Sequence, residues 1–114
     1  SLIIKNKIDL LITPIYLEDI RLNTSTPIFV NWKFHAFKND EIIEWHKRIK
    51  IINEFYSASN KNQQYSLLNE IDLIQNTSHI LIDLNKQSKL YIDCKIIDFN
   101  KNYILYDSKI CDEK

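Results

Sequence analysis

Histidine is the side chain that changes charge nearest neutral pH and a frequent metal ligand, so His35, His46 and His79 are the natural starting point for chemistry. No two of them stand at an HxxxH or other ligand spacing, and no Cys or carboxylate completes a metal set around them. We read all three as packing or surface groups and assign no metal. Cys94 and Cys111 form no CxxC or Cys/His pattern, and two thiols are too few for a disulfide framework. The chain has no glycine, which removes the tight backbone loops that cradle phosphates and dinucleotides. Nucleophile-elbow and zinc-protease motifs are also absent. No residue is therefore assigned as catalytic, no cofactor is implied, and an enzyme ranks below a binding protein.

What remains is recognition chemistry. Asp83, Asp93 and Asp107 are expected on one face of a C-terminal sheet, interleaved with Tyr91 and Tyr103. Carboxylates beside tyrosines suit a basic protein partner, because tyrosine is a preferred interface residue and charge steers association. The competing reading of these residues is an ordinary solvated sheet face, with Lys95 and Lys109 as local counter-charges, or a face covered by a helix. A second set, Trp32, Lys33, Lys47 and Arg48, mixes cations with aromatics as single-strand nucleic-acid grooves do. Glu41, Glu44 and Glu54 offset that field, and Trp45 belongs to an apolar stripe, so nucleic acid is the weaker partner. A small-molecule substrate ranks lower still.

The elements that must position these residues follow from hydrophobic periodicity. Leu2 to Ile12 alternates as a strand. Thr13-Pro14 opens a segment, Ile15 to Leu22, that is compatible with a short helix or an extended piece. Ile28 to Phe37 carries large apolar groups on both faces, as a central strand does. Ile42, Trp45, Ile49, Ile52 and Tyr56 recur every three or four positions, which predicts a helix over Glu41 to Tyr56 behind an Asn39-Asp40 cap. Glu44 and Arg48 sit four apart on its outer side. Ser66 caps a shorter helix through Leu67, Leu68, Ile71 and Ile74.

Beyond Asn76 the period changes to two. Runs at His79 to Leu84, Lys89 to Asp98 and Tyr103 to Ile110 read as an antiparallel meander joined by short polar loops. Its core side is Ile80, Ile82, Leu84, Leu90, Ile92, Cys94, Ile96, Ile104, Tyr106 and Ile110. With Asp98 opposite Tyr103, Cys94 faces Asp107 and Cys111 lies near Leu90. The thiols are then at least ~10 Å apart along the ladder, too far to bond.

At the scale of the chain, 114 residues with 45% apolar side chains make one globular α+β domain spanning 1–114. We expect an antiparallel sheet of about five strands packed against one long and one short helix. Fifteen basic and 15 acidic residues cancel, which disfavours a general polyanion binder. Twenty-one Ile, 13 Lys and 12 Asn point to an A/T-rich genome. No apolar run approaches 18 residues, so no membrane span or membrane partner is expected. The opening residues lack the pattern of a secretion signal, and with two thiols taken as free the expected location is the cytoplasm. The function expected is a non-catalytic protein-binding module, in its sharpest form a bacterial immunity or antitoxin-like protein that occludes a toxin such as a nuclease. A nucleic-acid accessory domain and a subunit or viral or phage accessory protein of a larger assembly are the alternatives.

Overall fold

The computed structural model describes residues 3, 6–17, 26–30, 39–87 and 89–112. Helix α1 spans Asn39–Tyr56, close to the periodicity. It buries Ile51, Ile52 and Phe55, with Trp45, Ile49 and Tyr56 packed beside them, while Ile42, the first residue of the expected stripe, is 37% exposed. Helix α2 spans Lys61–Ile74 and begins well before the start expected behind Ser66. Its cap is Asn60, whose Oδ1 accepts from the Gln63 amide at 2.8 Å. The polar run that hid this start carries Gln64, which is fully buried on the inner face with Leu67, Leu68 and Ile71.

The sheet is mixed. Strands β1 (Leu11–Ile12), β2 (His79–Asp83), β3 (Asp93–Phe99) and β4 (Tyr103–Asp112) lie in the order β1-β2-β4-β3. β1 runs parallel to β2, and β4 is antiparallel to both β2 and β3. The α+β class stands, and the described part holds four strands with one parallel pair in place of an antiparallel five. The meander order is overturned because the chain does not turn back directly after β2. Asp83 Oδ1 accepts the Asn85 amide at 3.0 Å, and its carbonyl accepts those of Lys86 and Gln87, both at 3.0 Å. This turn throws the chain off the sheet. Leu90 and Ile92 then bury in the helix-side core, and β3 returns on the far side of β4.

Of the N-terminal alternation, only Leu11–Ile12 is strand within the described residues. The segment after Pro14 is a single 3-10 turn, Ile15–Leu17, with 18–22 outside the described residues. Ile28 makes a lone parallel bridge to Leu11, and the rest of the expected central strand from 31 to 37, including Trp32 and Lys33, lies outside them.

Both sheet faces are covered. Ile80, Ile82, Leu90, Ile92, Cys94 and Tyr106 pack against the helices. On the other face Leu81 and Leu105 are buried beneath Ile3, Leu11 and Ile28, with Ile8, Leu17, Ile97 and Tyr103 around them. The apolar groups expected on an open contact face are therefore a second core, closed by the N-terminal segment.

The β3–β4 hairpin turns at Asn100, whose Oδ1 accepts from the amides of Asn102 and Tyr103 at 2.8 and 2.9 Å. An Asx turn serves here where glycine is the common choice. Its register differs from the uniform one. Phe99 pairs with Ile104, Ile97 is an extra residue on β3, and between Lys95↔Asp107 and Cys94↔Cys111 three residues of β4 have no opposite number. These irregularities bring the cysteines face to face, and they form a disulfide across 17 positions. The expected ~10 Å separation fails because it assumed an unbroken ladder. The cytoplasmic expectation rested on two free thiols, and that premise does not hold.

Candidate functional site

A cavity of about 380 Å³ opens between the end of α1, the segment after β1 and the crossover from β2 to β3. Pro14, Tyr16, Tyr56, Ser57, Asp83, Lys86, Gln87 and Tyr91 are among its walls. The size is within the usual range of ligand clefts. Each wall is fixed by a hydrogen bond that the fold supplies.

Pro14 starts the 3-10 turn, with the Leu17 amide donating to the Pro14 carbonyl at 3.0 Å. That turn presents Tyr16, which is 55% exposed and donates its phenol to Asp83 Oδ2 at 2.7 Å. Burial, then the bond to Asp83, pushes the Tyr16 phenol up to about 12. Asp83 is buried at the end of β2. Burial alone would raise its carboxyl, but hydrogen bonds from Tyr16 and Asn85 and the nearby charge of Lys86 outweigh it and hold it below 3.8. The Tyr56 hydroxyl lies 2.7 Å from the Leu81 carbonyl and 3.1 Å from that of Ile12, tying α1 to β1 and β2. Burial keeps that phenol well above its ordinary value.

The remaining wall depends on Gln64. Its Oε1 accepts the amides of Tyr91 and Ile92 at 2.7 and 3.2 Å, and its Nε2 donates to the Phe55 carbonyl at 3.1 Å. One buried amide thus joins both helices to the crossover and sets the backbone of Tyr91, whose side chain is 53% exposed.

Of the sequence-predicted contact residues, Asp83 and Tyr91 meet in this cleft. Tyr103 is half-buried in the second core and pairs opposite Asp83 across β2 and β4. Asp107 pairs with His79 and Lys95, and its Oδ1 accepts the Lys109 amide at 2.8 Å. Asp93 is exposed at the start of β3. The five do not form one continuous patch: along β4, Asp107 is four positions from Tyr103, about 13 Å. Tyr16, Tyr56 and Gln64 were missed. Their roles depend on chain crossings that periodicity does not encode, and only the Thr13-Pro14 turn signal marked the vicinity.

In the second set, Lys47 is exposed on α1. Arg48 has other work: its Nη1 donates to the Phe29 carbonyl and to Gln75, both at 2.9 Å, and its Nε pairs with Glu44 at 3.1 Å. Its guanidinium also lies 4.7 Å from the centre of the Phe29 ring. The arginine is a strut between α1, α2 and the N-terminal segment.

His79 Nδ1 lies 2.8 Å from Ser78 Oγ. Burial lowers the imidazole, against the opposite pull of Asp107 and Asp9. The same hydroxyl accepts the amides of Asp9 and Leu10, each at 3.0 Å, so its lone pairs are occupied in holding the N-terminal segment. Among the described residues no group of three or more His, Cys, Asp or Glu gathers to hold a metal, and no helix is long and apolar enough to cross a membrane.

A family described as "Domain of unknown function (DUF6798)" matches residues 5–52, which is 48 of the 114. The match takes in Pro14 and Tyr16 of the cleft but none of Tyr56, Asp83 or Tyr91. No curated protein and no solved structure matches the chain.

Proposed function

We propose that this chain is a non-catalytic protein-binding module whose contact surface is the rim of the tyrosine cleft. The observation that carries the reading is the joint presence of two half-exposed tyrosines, Tyr16 and Tyr91, around a carboxylate already fixed by a phenol. Rigid aromatic side chains around a pocket are typical of interface hot spots, since they present a large contact area with little rotamer entropy to lose. The protonation states suit recognition rather than proton transfer. Asp83 stays ionised and Tyr16 and Tyr56 stay neutral throughout the physiological range. In its sharpest form the occupant is a basic toxin domain, such as a nuclease, and the module is of the immunity or antitoxin type. Asp93 and Asp107 then act at a distance, through association rate more than affinity.

The test begins with capture of tagged chain from a native lysate, with the eluate analysed by native mass spectrometry, and continues with the purified partner. A one-to-one protein complex is expected, weakened at least about tenfold by Tyr91→Ala with unchanged thermal stability of the free module. Unchanged affinity in that variant, or salt-sensitive nucleic acid in place of a protein, would contradict the proposal.

A further inference from the structure

The open end of the β3–β4 pair runs in a register that its side chains do not favour. Lys95↔Asp107 and Ile96↔Tyr106 set an ordinary antiparallel ladder, which then breaks. Ser108, Lys109 and Ile110 are skipped before Cys94↔Cys111 and Asp93↔Asp112 resume. Two features follow from the skip. Lys109 has no opposite number on β3, and Asp93 is set opposite residue 112 instead. Ile110, which alternation from Tyr106 and Ser108 assigns to the core face, is instead 54% exposed.

Extending the Lys95↔Asp107 register without the skip gives a different set of pairs. Cys94 then faces Ser108, Asp93 faces Lys109, and Ile92 faces Ile110. Asp93 then has a lysine opposite it, and an exposed isoleucine meets a buried one. What that register gives up is small: an Asp107 side-chain bond to the Lys109 amide at 2.8 Å, and exposed Lys109 contacts to Asp72 at 3.6 Å and Asn76 at 3.4 Å. Ser108 need not move far, since its amide is already held by the Ser78 carbonyl at 3.0 Å. A covalent bond joins Cys111 to Cys94 in the register observed.

We propose that the Cys94–Cys111 couple is a redox switch of strand register: oxidised, it holds the three-residue insertion, and reduced, it lets the end of β4 move into the regular ladder. Cys94 is 4% exposed and Cys111 is half-buried, so an external dithiol reaches the Cys111 sulfur. Its thiolate attacks Cys111 Sγ, the protein S–S bond breaks, and Cys94 leaves as a thiolate that takes up a proton. The second thiol of the reductant then resolves the mixed disulfide and releases Cys111. Two electrons and two protons pass to the protein, and the reductant departs as a disulfide. The switch adjoins Tyr91 in sequence but does not depend on the binding reading.

Nuclear Overhauser contacts in isotope-labelled protein, before and after reduction with dithiothreitol, test this directly. A Cys94→Ser/Cys111→Ser variant serves as a form that cannot re-oxidise. The reduced protein and the variant are expected to lose the 94–111 and 93–112 cross-strand contacts and gain those between 92 and 110 and between 94 and 108. Slower exchange of the Ile110 amide is expected alongside. Retention of the 94–111 pairing in both forms would overturn the proposal, and so would global unfolding of both.

Discussion

Gln64 shows how much one side chain can decide here. A fully buried amide that satisfies two crossover N–H groups leaves both unpaired when removed, and leaves the Phe55 carbonyl with only the Ala58 amide at 3.5 Å. Each such orphan costs about 1–3 kcal/mol. Gln64→Leu should therefore lower the unfolding free energy by at least about 2 kcal/mol in urea titration, and a loss below about 1 kcal/mol would contradict the hub role. The Tyr16–Asp83 bond makes a second residue-scale prediction, with opposite signs at the two ends of the pH scale. The Asp83 carboxyl is held below 3.8, so its contribution is present above that value and is lost as pH falls through the lower, folded-state value. The Tyr16 phenol is raised from 10.0 to about 12, so its contribution is present below pH 10 and is lost as pH rises through the higher value. Tyr16→Phe should reduce the alkaline loss seen by thermal melting, leaving the part due to the buried Tyr56 and Tyr106 phenols, and should weaken the acid limb. Identical limbs in the variant would contradict the pairing. Asp83 and Tyr91, chosen from the sequence by type and alternation, both line the cleft. Gln64 could not be chosen so, since its meaning comes from three segments that meet only after folding.

At the scale of elements, local signals were read well and long-range ones poorly. The α1 stripe through Trp45, Ile49 and Ile52 follows from spacing alone, and the three C-terminal strands lie within a few residues of their alternating runs. The start of α2 was misplaced because Asn60 and Ser66 are equally good caps by type, and the buried glutamine between them looked like loop. Strand order was misread because a polar turn after Asp83 resembles a hairpin loop, whereas its hydrogen bonds send the chain across the helix side. The disulfide was missed for a related reason, since alternation predicts an unbroken ladder and is blind to bulges. Closing a loop of this length removes about 3 kcal/mol of chain entropy from the unfolded state. Reduction should lower stability by no more than roughly that amount, as read by denaturant midpoint in oxidised and reduced protein. A much larger loss would mean that the bond specifies the fold and not only the register of one strand pair.

The whole molecule is a mixed sheet with a core on each face, and this arrangement closes the face that alternation leaves open. The carboxylate and tyrosine residues were expected on one open sheet face, but Leu81 and Leu105 at its centre are fully buried. Tyr16 and Tyr91 are exposed instead where the crossover, the 3-10 turn and the end of α1 converge, while Phe99, 71% exposed, lies outside that cleft. Net neutrality, the absence of glycine loops and the commitment of Arg48 to internal contacts all favour a protein partner over a polyanion. The most direct measurement is the hydrogen-exchange footprint of the purified one-to-one complex against the free module. Added protection is expected at 15–17, 57–58, 86–87 and 91, on the three segments that wall the cleft. Protection confined to the β3 edge, or to the Lys47 side of α1, with these segments unchanged, would contradict the proposed contact surface.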